Sequence, residues 1–325
     1  MSCSRRTLLV ATSAAAVGHL GAAWAQVQPW PQRPLRLLVG FPPGSSPDVM
    51  ARTLAEPLAQ ALGQPVVVEN RPGAAGNVAA DAVARARDGH TFGLMINGNL
   101  TIAKLLNPAT PYDPATDLTP VTLLATAPLV LVADTRLPAD ATRLLAAGRS
   151  AGDTWNYGSP GVGTVAHIGM EMVKDATGWR AVHVPFTGNP QVIQAMIRGD
   201  VQVALLPPGL ALAQVQAGKL QTLGVTSAAR STLAPNVPAL AELGVRGVEL
   251  EIWNAVAGPA SSPRAHVQRL ATALAEIVRR PAVRQQLFAQ GWQAVGTAPE
   301  GLAHRMRADT ERMRAIIERA GIHAQ

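Results

Sequence analysis

Leu35-Arg36-Leu37-Leu38-Val39, then Phe41-Pro42-Pro43-Gly44-Ser45-Ser46-Pro47-Asp48, then Met50, Leu54, Leu58 and Leu62 at a spacing of four: this run decides the fold class. The first five residues read as a short apolar strand, and the proline–glycine–serine cluster reads as a turn. Apolar residues at every fourth position share one helical face, and Gly63 behind them is a helix stop. Ser46 is expected as the N-cap, with Pro47 at the first helical position, where its missing N–H costs nothing. A strand that feeds a helix through a tight turn is the repeating unit of a parallel α/β sheet.

The unit recurs along the chain. Val66-Val67-Val68 is a β-branched strand closed by the turn Asn70-Arg71-Pro72-Gly73, followed by a helix over 78–86 and a strand over 91–96. Beyond a Pro-rich segment at 107–120, strands are expected around Pro128 and a helix at 139–147. A strand at 155–157 and a helix at 164–176 come next. Strands at 181–184, 201–206 and 220–226 alternate with helices near 190–197 and 211–216. The last third reads as helical over 265–278, 281–289 and 300–320. Such alternation predicts parallel sheet with helices on both faces. No internal repeat or low-complexity segment interrupts it.

Composition agrees. A chain of 325 residues suggests two domains, and 48% hydrophobic residues supply a large core and exclude disorder. The net charge of +7 is almost all arginine, since Lys104, Lys174 and Lys219 are the only lysines. The basic residues form no run, and the aromatics, 4% of the chain, are not interleaved with them, which argues against nucleic acid.

The first 25 residues read as a leader rather than as fold. Arg5-Arg6 opens a positive region, residues 8–23 are apolar or small, and Ala23-Trp24-Ala25 is an A-x-A cleavage site. Ser4-Arg5-Arg6-Thr7-Leu8-Leu9 also resembles a twin-arginine signal, so export by either route is expected, with cleavage after Ala25. Gly18, His19 and Gly21 interrupt a stretch already short for a membrane span. Cleavage removes Cys3, the only cysteine, and with it disulfides, Cys-ligated metals and thiol nucleophiles.

Three segments could carry chemistry. The turn Phe41 to Asp48 opens a helix, where free backbone N–H groups favour an anion, Ser45 and Ser46 add hydroxyls, and Asp48 suits the first turn. A plain strand–helix turn is the competing reading. Tyr157 to His167 lies between a strand and a helix, and Gly161, Gly163 and Ala166 match the dinucleotide pattern G-x-G-x-x-A. That pattern requires an acid about 20 residues on, and none occurs between Asp175 and Asp200. What survives is an amide-lined, hydroxyl-rich pocket suited to a carboxylate. Ile96-Asn97-Gly98-Asn99 follows a strand and offers side-chain amides, or else is a turn needing positive φ.

The remaining signatures are absent. Tyr157 occupies the first Gly position of a G-x-S-x-G elbow before Ser159, and no phosphate-loop signature exists. His90, His167, His183, His266, His304 and His323 show no metal-ligand spacing, so neither metal nor cofactor is expected. Ser159 and His167 could be neighbours, which keeps a periplasmic hydrolase as the alternative, although no orienting acid can be placed. Trp155, Trp179, Trp253 and Trp292 read as core or hinge packing.

Taken in order, these segments resemble one family, the Bug/TctC receptors, extracytoplasmic substrate-binding proteins of tripartite tricarboxylate transport systems. The match includes 34–52, Val66 to Asn77, Asp88-Gly89-His90-Thr91, Pro111-Tyr112-Asp113-Pro114, Tyr157 to His167, His183-Val184-Pro185-Phe186-Thr187-Gly188, Ala217-Gly218-Lys219-Leu220 and Val225-Thr226-Ser227. The resemblance implies an α/β fold of two Rossmann-like lobes, the type II periplasmic binding protein fold, with a ligand cleft between them. It implies one lobe from 26–125 plus 253–325, the other from 126–252, and hinges near Ala125 and Trp253. It implies a small carboxylate ligand, di- or tricarboxylate or aromatic, held by Phe41, Pro43, Gly44, Ser45, Ser46, Asp48, Asn97, Gly98 and Asn99 on one lobe. The other lobe would present Ser159, Gly161, Gly163, Thr164, His167, Phe186 and Thr187. It further implies a monomer that hands its ligand to a TctA/TctB-like permease or a sensor kinase. Two departures stand out. Pro47 replaces the family's usual Thr, and Leu205-Leu206-Pro207-Pro208 stands where Phe-Asp is common. The second predicts a ligand without an α-ammonium and with an apolar portion near 205–208.

Overall fold

A computed structural model describes residues 30–322. The leader, its cleavage site after Ala25 and His323 lie outside the described residues. In chain order the elements are β1 (Leu35–Val39), α1 (Ser46–Leu62), β2 (Val66–Asn70), α2 (Asn77–Ala84), β3 (Thr91–Ile96), α3 (Ala103–Leu106), β4 (Leu118–Pro128), β5 (Val130–Asp134), α4 (Ala141–Ala151), β6 (Asn156–Ser159) and α5 (Val165–Thr177). They continue as β7 (Val182–Pro185), α6 (Asn189–Arg198), β8 (Val203–Leu206), α7 (Pro208–Gln216), β9 (Leu220–Val225), β10 (Glu251–Pro259), α8 (Arg264–Arg279), α9 (Pro281–Ala289), β11 (Gln293–Ala294) and α10 (Pro299–Ala320).

The opening run folds as its pattern requires, with one shift. Ser45, not Ser46, is the N-cap of α1, so Pro47 falls one position deeper, still within the first turn. Met50, Leu54, Leu58 and Leu62 are buried along one face, and Gly63 closes the helix in the left-handed conformation.

The strands form two sheets, in the orders β11-β4-β10-β3-β1-β2 and β7-β6-β8-β5-β9. Purely parallel sheets were expected; both are mixed. β1 pairs in parallel with β2 and β3, and β6 with β7 and β8, but β10 runs antiparallel to β3 and β4, and β5 antiparallel to β8 and β9. The antiparallel strands are those by which the chain changes sheets. It leaves the first sheet at Leu129, between β4 and β5, and returns through 226–250 into β10. Thr226 clasps the crossing: its Oγ accepts from the Leu129 N–H at 2.9 Å and donates to the Leu250 carbonyl at 2.7 Å. β10 was the longest element missed in the sequence.

Each sheet is covered on both faces. Leu37, Val39 and Phe92 pack with α1, α8 and α9, and Leu38, Met95 and Leu123 with α2 and the start of α10. In the second sheet, Leu131, Tyr157 and Val203 pack against α4 and α5, and Val132, Ala204 and Leu206 against α6 and α7. Helix α10 joins both lobes: Leu302 and Met306 belong to the first core, Met313, Ile316 and Ile317 to the second. No helix among the described residues is long and apolar enough to cross a membrane.

Candidate functional site

The strand ends and helix starts of the two sheets face each other. At the start of α1, Asp48 holds the turn in shape. Its carboxylate accepts from the Gly44 N–H at 2.9 Å, from Asn70 Nδ2 at 2.8 Å and from Arg52 Nε at 3.0 Å. Burial alone would raise the Asp48 pKa, but these hydrogen bonds and the Arg52 charge outweigh it and hold it below the usual range. Gly44 takes positive φ here, and Pro43 and Gly44 lie exposed on the outside of the turn. The turn leaves Ser45 Oγ buried with no hydrogen-bond partner, because this N-cap hydroxyl does not cap its own helix.

Opposite it, α5 begins at Thr164, whose Oγ1 accepts from the His167 N–H at 3.3 Å. Helix α6 begins at Asn189, whose Oδ1 is also buried and unpartnered. The segment Asn97–Asn99, expected as a turn, is instead helical and runs through a π-helical stretch, Gly98–Ile102, into α3. Asn97 Nδ2 donates to the Glu251 carbonyl at 3.0 Å, and Asn99 Nδ2 lies 3.0 Å from the Ala75 carbonyl and 2.8 Å from Asn77 Oδ1.

The lobes are in contact. A Cβ added to Gly98 would fall 2.9 Å from the Gly163 carbonyl oxygen, and one on Gly161 would fall 2.8 Å from the Ala75 Cβ. Between them lies a cavity of about 50 Å³. Five of the expected residues line it: Phe41, Ser45, Ser46, Asn97 and Thr164. Pro47 and Pro207, from the two segments that depart from the family pattern, line it too. Gly161, Gly163, Phe186 and Thr187 instead line a groove of about 590 Å³ that also includes Ala74 and Ala75. Asp48, Asn99, Ser159 and His167 stand behind these surfaces, buried and hydrogen-bonded within the protein.

Sequence reasoning missed Asn189, Asn254, Trp253 and Trp292, all of which line the cavity. Trp253 and Trp292 are core residues, as expected, that also border the cavity, and Trp155 and Trp179 pack against each other at 5.5 Å. Asn254 on β10 is 1% exposed, and neither its Oδ1 nor its Nδ2 has a partner. An amide in the apolar run Trp253-Asn254-Ala255-Val256-Ala257 was the available signal, since buried amides are retained where something pairs with them.

Ser159 does meet a histidine, but not His167. Its Oγ lies 2.7 Å from His183 Nε2, and the His183 ring stacks on both Tyr157, at 4.7 Å, and His167, at 4.3 Å. Burial, helped by the charges of His167 and Lys174, pushes the His183 imidazole down to about 3. Burial likewise lowers His167. Ser159 is fully buried and His183 Nδ1 has no partner, so no acid orients this pair. Among the described residues no group of three or more His, Cys, Asp or Glu could hold a metal ion.

Residues 50–322 match the family described as tripartite tricarboxylate transporter family receptor. The chain belongs to that family. BugT of Bordetella pertussis is 31% identical over 303 residues, 92% of this chain and 93% of that protein. A Rhodopseudomonas palustris protein solved with adipate superposes with a TM-score of 0.87 at 30% identity, covering 90% of this chain and 99% of that one. MatC from the same organism, solved with bound malate, gives 0.84 at 28%, covering 89% and 100%. The two α/β lobes are thus the periplasmic binding protein architecture of these receptors.

Proposed function

We propose that this receptor is exported to the periplasm, closes on a small carboxylate between its lobes and performs no chemistry on it. One observation carries the reading: the starts of α1, α5 and α6 line one cavity, together with Ser45, Asn189 and Asn254, each of which has an unpartnered buried polar atom. Helix starts present unpaired N–H groups and partial positive charge, which suits a carboxylate. The adipate and malate held by the two R. palustris relatives support that ligand class. In this reading Phe41, Ser45, Ser46, Asn97 and Thr164, with Asn189 and Asn254, touch the ligand. Pro43, Gly44, Asp48, Gly98, Asn99, Ser159, Gly161, Gly163, His167, Phe186 and Thr187 shape the turns and the closing contacts. The moving lobes are 26–125 with 253–325, and 126–252, with the end of α10 packed on the second. The receptor works as a monomer, its leader is removed after Ala25, and the closed form is read by a TctA/TctB-like permease or a sensor kinase.

Thermal unfolding against mono-, di-, tri- and aromatic carboxylates tests this, with amino acids and NAD as controls. A ligand at 100 times its Kd adds about 2.7 kcal/mol. A shift with carboxylates alone is expected; a flat carboxylate response beside a shift with NAD would overturn it. The rival hydrolase reading, with His183 in place of His167 beside Ser159, predicts ester turnover abolished by Ser159→Ala.

A further inference from the structure

The cavity holds no charge of its own. None of the residues lining it is Asp, Glu, Lys, Arg or His. Its polar equipment beyond the helix starts is a pair of amides, one from each lobe: Asn189 at the start of α6 and Asn254 in the middle of β10. They are 7% and 1% exposed, and Asn189 Oδ1, Asn254 Oδ1 and Asn254 Nδ2 have no partner. The third amide, Asn97, is already committed to the Glu251 carbonyl. Around these atoms the walls are apolar: Leu129, Pro207, Ile252, Trp253 and Trp292.

These atoms constrain what lies at the ligand's second end. A second carboxylate only accepts hydrogen bonds, so it would leave the amide oxygens unpaired. A methyl end would leave every one of these atoms unpaired. An ammonium could donate to both oxygens, but would be a buried cation without a counter-charge. A hydroxyl or a primary amide both donates and accepts, and brings no charge. The small volume, about 50 Å³, favours a short chain between the two ends.

We infer that this receptor selects a short monocarboxylate whose other end is an uncharged hydroxyl or amide, read by Asn189 and Asn254 across the cleft. The inference rests on the carboxylate-receptor reading above and narrows it; it also separates this chain from its relatives solved with dicarboxylates.

Calorimetric titration of the protein purified from the periplasm with butyrate, 4-hydroxybutyrate, succinamate, succinate and 4-aminobutyrate tests it. These share a four-carbon chain and differ at one end. 4-Hydroxybutyrate or succinamate should bind about tenfold or more tighter than the other three. Asn254→Val should reduce that preference to about threefold or less while the unliganded melting temperature holds or rises, because the change removes a buried amide with no protein partner. Tighter binding of succinate or 4-aminobutyrate would overturn the inference by placing a charge at the second end. Equal binding of butyrate and 4-hydroxybutyrate would overturn it by showing that the amides go unread. If all five fail while adipate, malate or citrate binds, the inference falls and the carboxylate reading stands. If those three fail as well, the carboxylate reading itself falls.

Discussion

Gly98→Ala should strengthen the folded receptor and weaken its grip on a ligand. Gly98 sits at the start of a helical segment and takes no positive φ, so alanine fits its backbone and favours the helix by up to about 1 kcal/mol. The new Cβ meets two neighbours that differ in kind. Ile96 Cδ1, at 3.2 Å, is the end of a flexible side chain on the same lobe. The Gly163 carbonyl oxygen, at 2.9 Å, is backbone on the opposite lobe, with Thr164 Cα behind it at 3.5 Å. The second clash exists only when the lobes meet. Overpacking of this kind costs about 1–3 kcal/mol, charged wholly to closure, which corresponds to a Kd about 5–150-fold weaker. Three measurements on one variant decide it: melting temperature without ligand, calorimetric Kd for the tightest-binding carboxylate, and ligand-induced compaction by small-angle scattering. An unliganded melting temperature equal to or above that of the parent, with a weakened Kd and reduced compaction, is expected. Full compaction at parental affinity would refute the claim that ligand is held by closure across the Gly98–Gly163 contact, and a large fall in melting temperature would refute the claim that the clash is absent from the open form.

Asp48→Asn should cost about 1.5–3 kcal/mol of stability by removing the charge from bonds to Gly44, Asn70 and Arg52. Because the folded pKa of Asp48 is lowered, its contribution is full above the ordinary carboxylate range and is lost as pH falls through the folded value, so the variant should lose less stability in acid; an unchanged acid-unfolding profile would count against this. Thr226→Val should cost about 1–3 kcal/mol by leaving the buried Leu129 N–H without an acceptor, and a melting curve superimposable on the parent's would mean the crossing does not depend on that clasp. His183, held neutral by burial, should make the fold lose stability as pH falls from 6.5 towards about 3, since the unfolded imidazole takes up its proton first. His183→Gln should flatten urea-unfolding stability across that window, and an unaltered slope would place the acid sensitivity elsewhere.

The fold was legible because its units are local. Strand, glycine–proline turn and one-sided helix recur within 30 residues of each other, and neither Met50 to Leu62 nor the β-branched Val66-Val67-Val68 needs distant chain to be read. The errors fall where a residue's role is set by chain far away. β10 pairs with β3 and β4, both more than 120 residues behind it in the chain, so its direction and its burial are tertiary facts. Ser159 was matched to His167, its neighbour in sequence, when the strand pairing of β6 with β7 sets Tyr157 beside His183 and brings that ring to the serine.

The cavity obeys the same division, and the division bears on how these receptors vary. Helix starts are written locally, so the proposed carboxylate end could be read from the turns at Ser45 and Thr164. In the proposed reading the far end is built from Asn189 and Asn254, which line the cavity from opposite lobes. A strand such as β10, covered on both sides by β3 and β4, can exchange one inward side chain without altering its ladder, because the ladder is made by backbone groups. Position 254 is therefore a place where ligand choice can change while the fold does not. Its cost is visible in the structure as an amide that no protein group satisfies, and that cost is the physical reason to place selectivity there rather than in the well-bonded turn around Asp48.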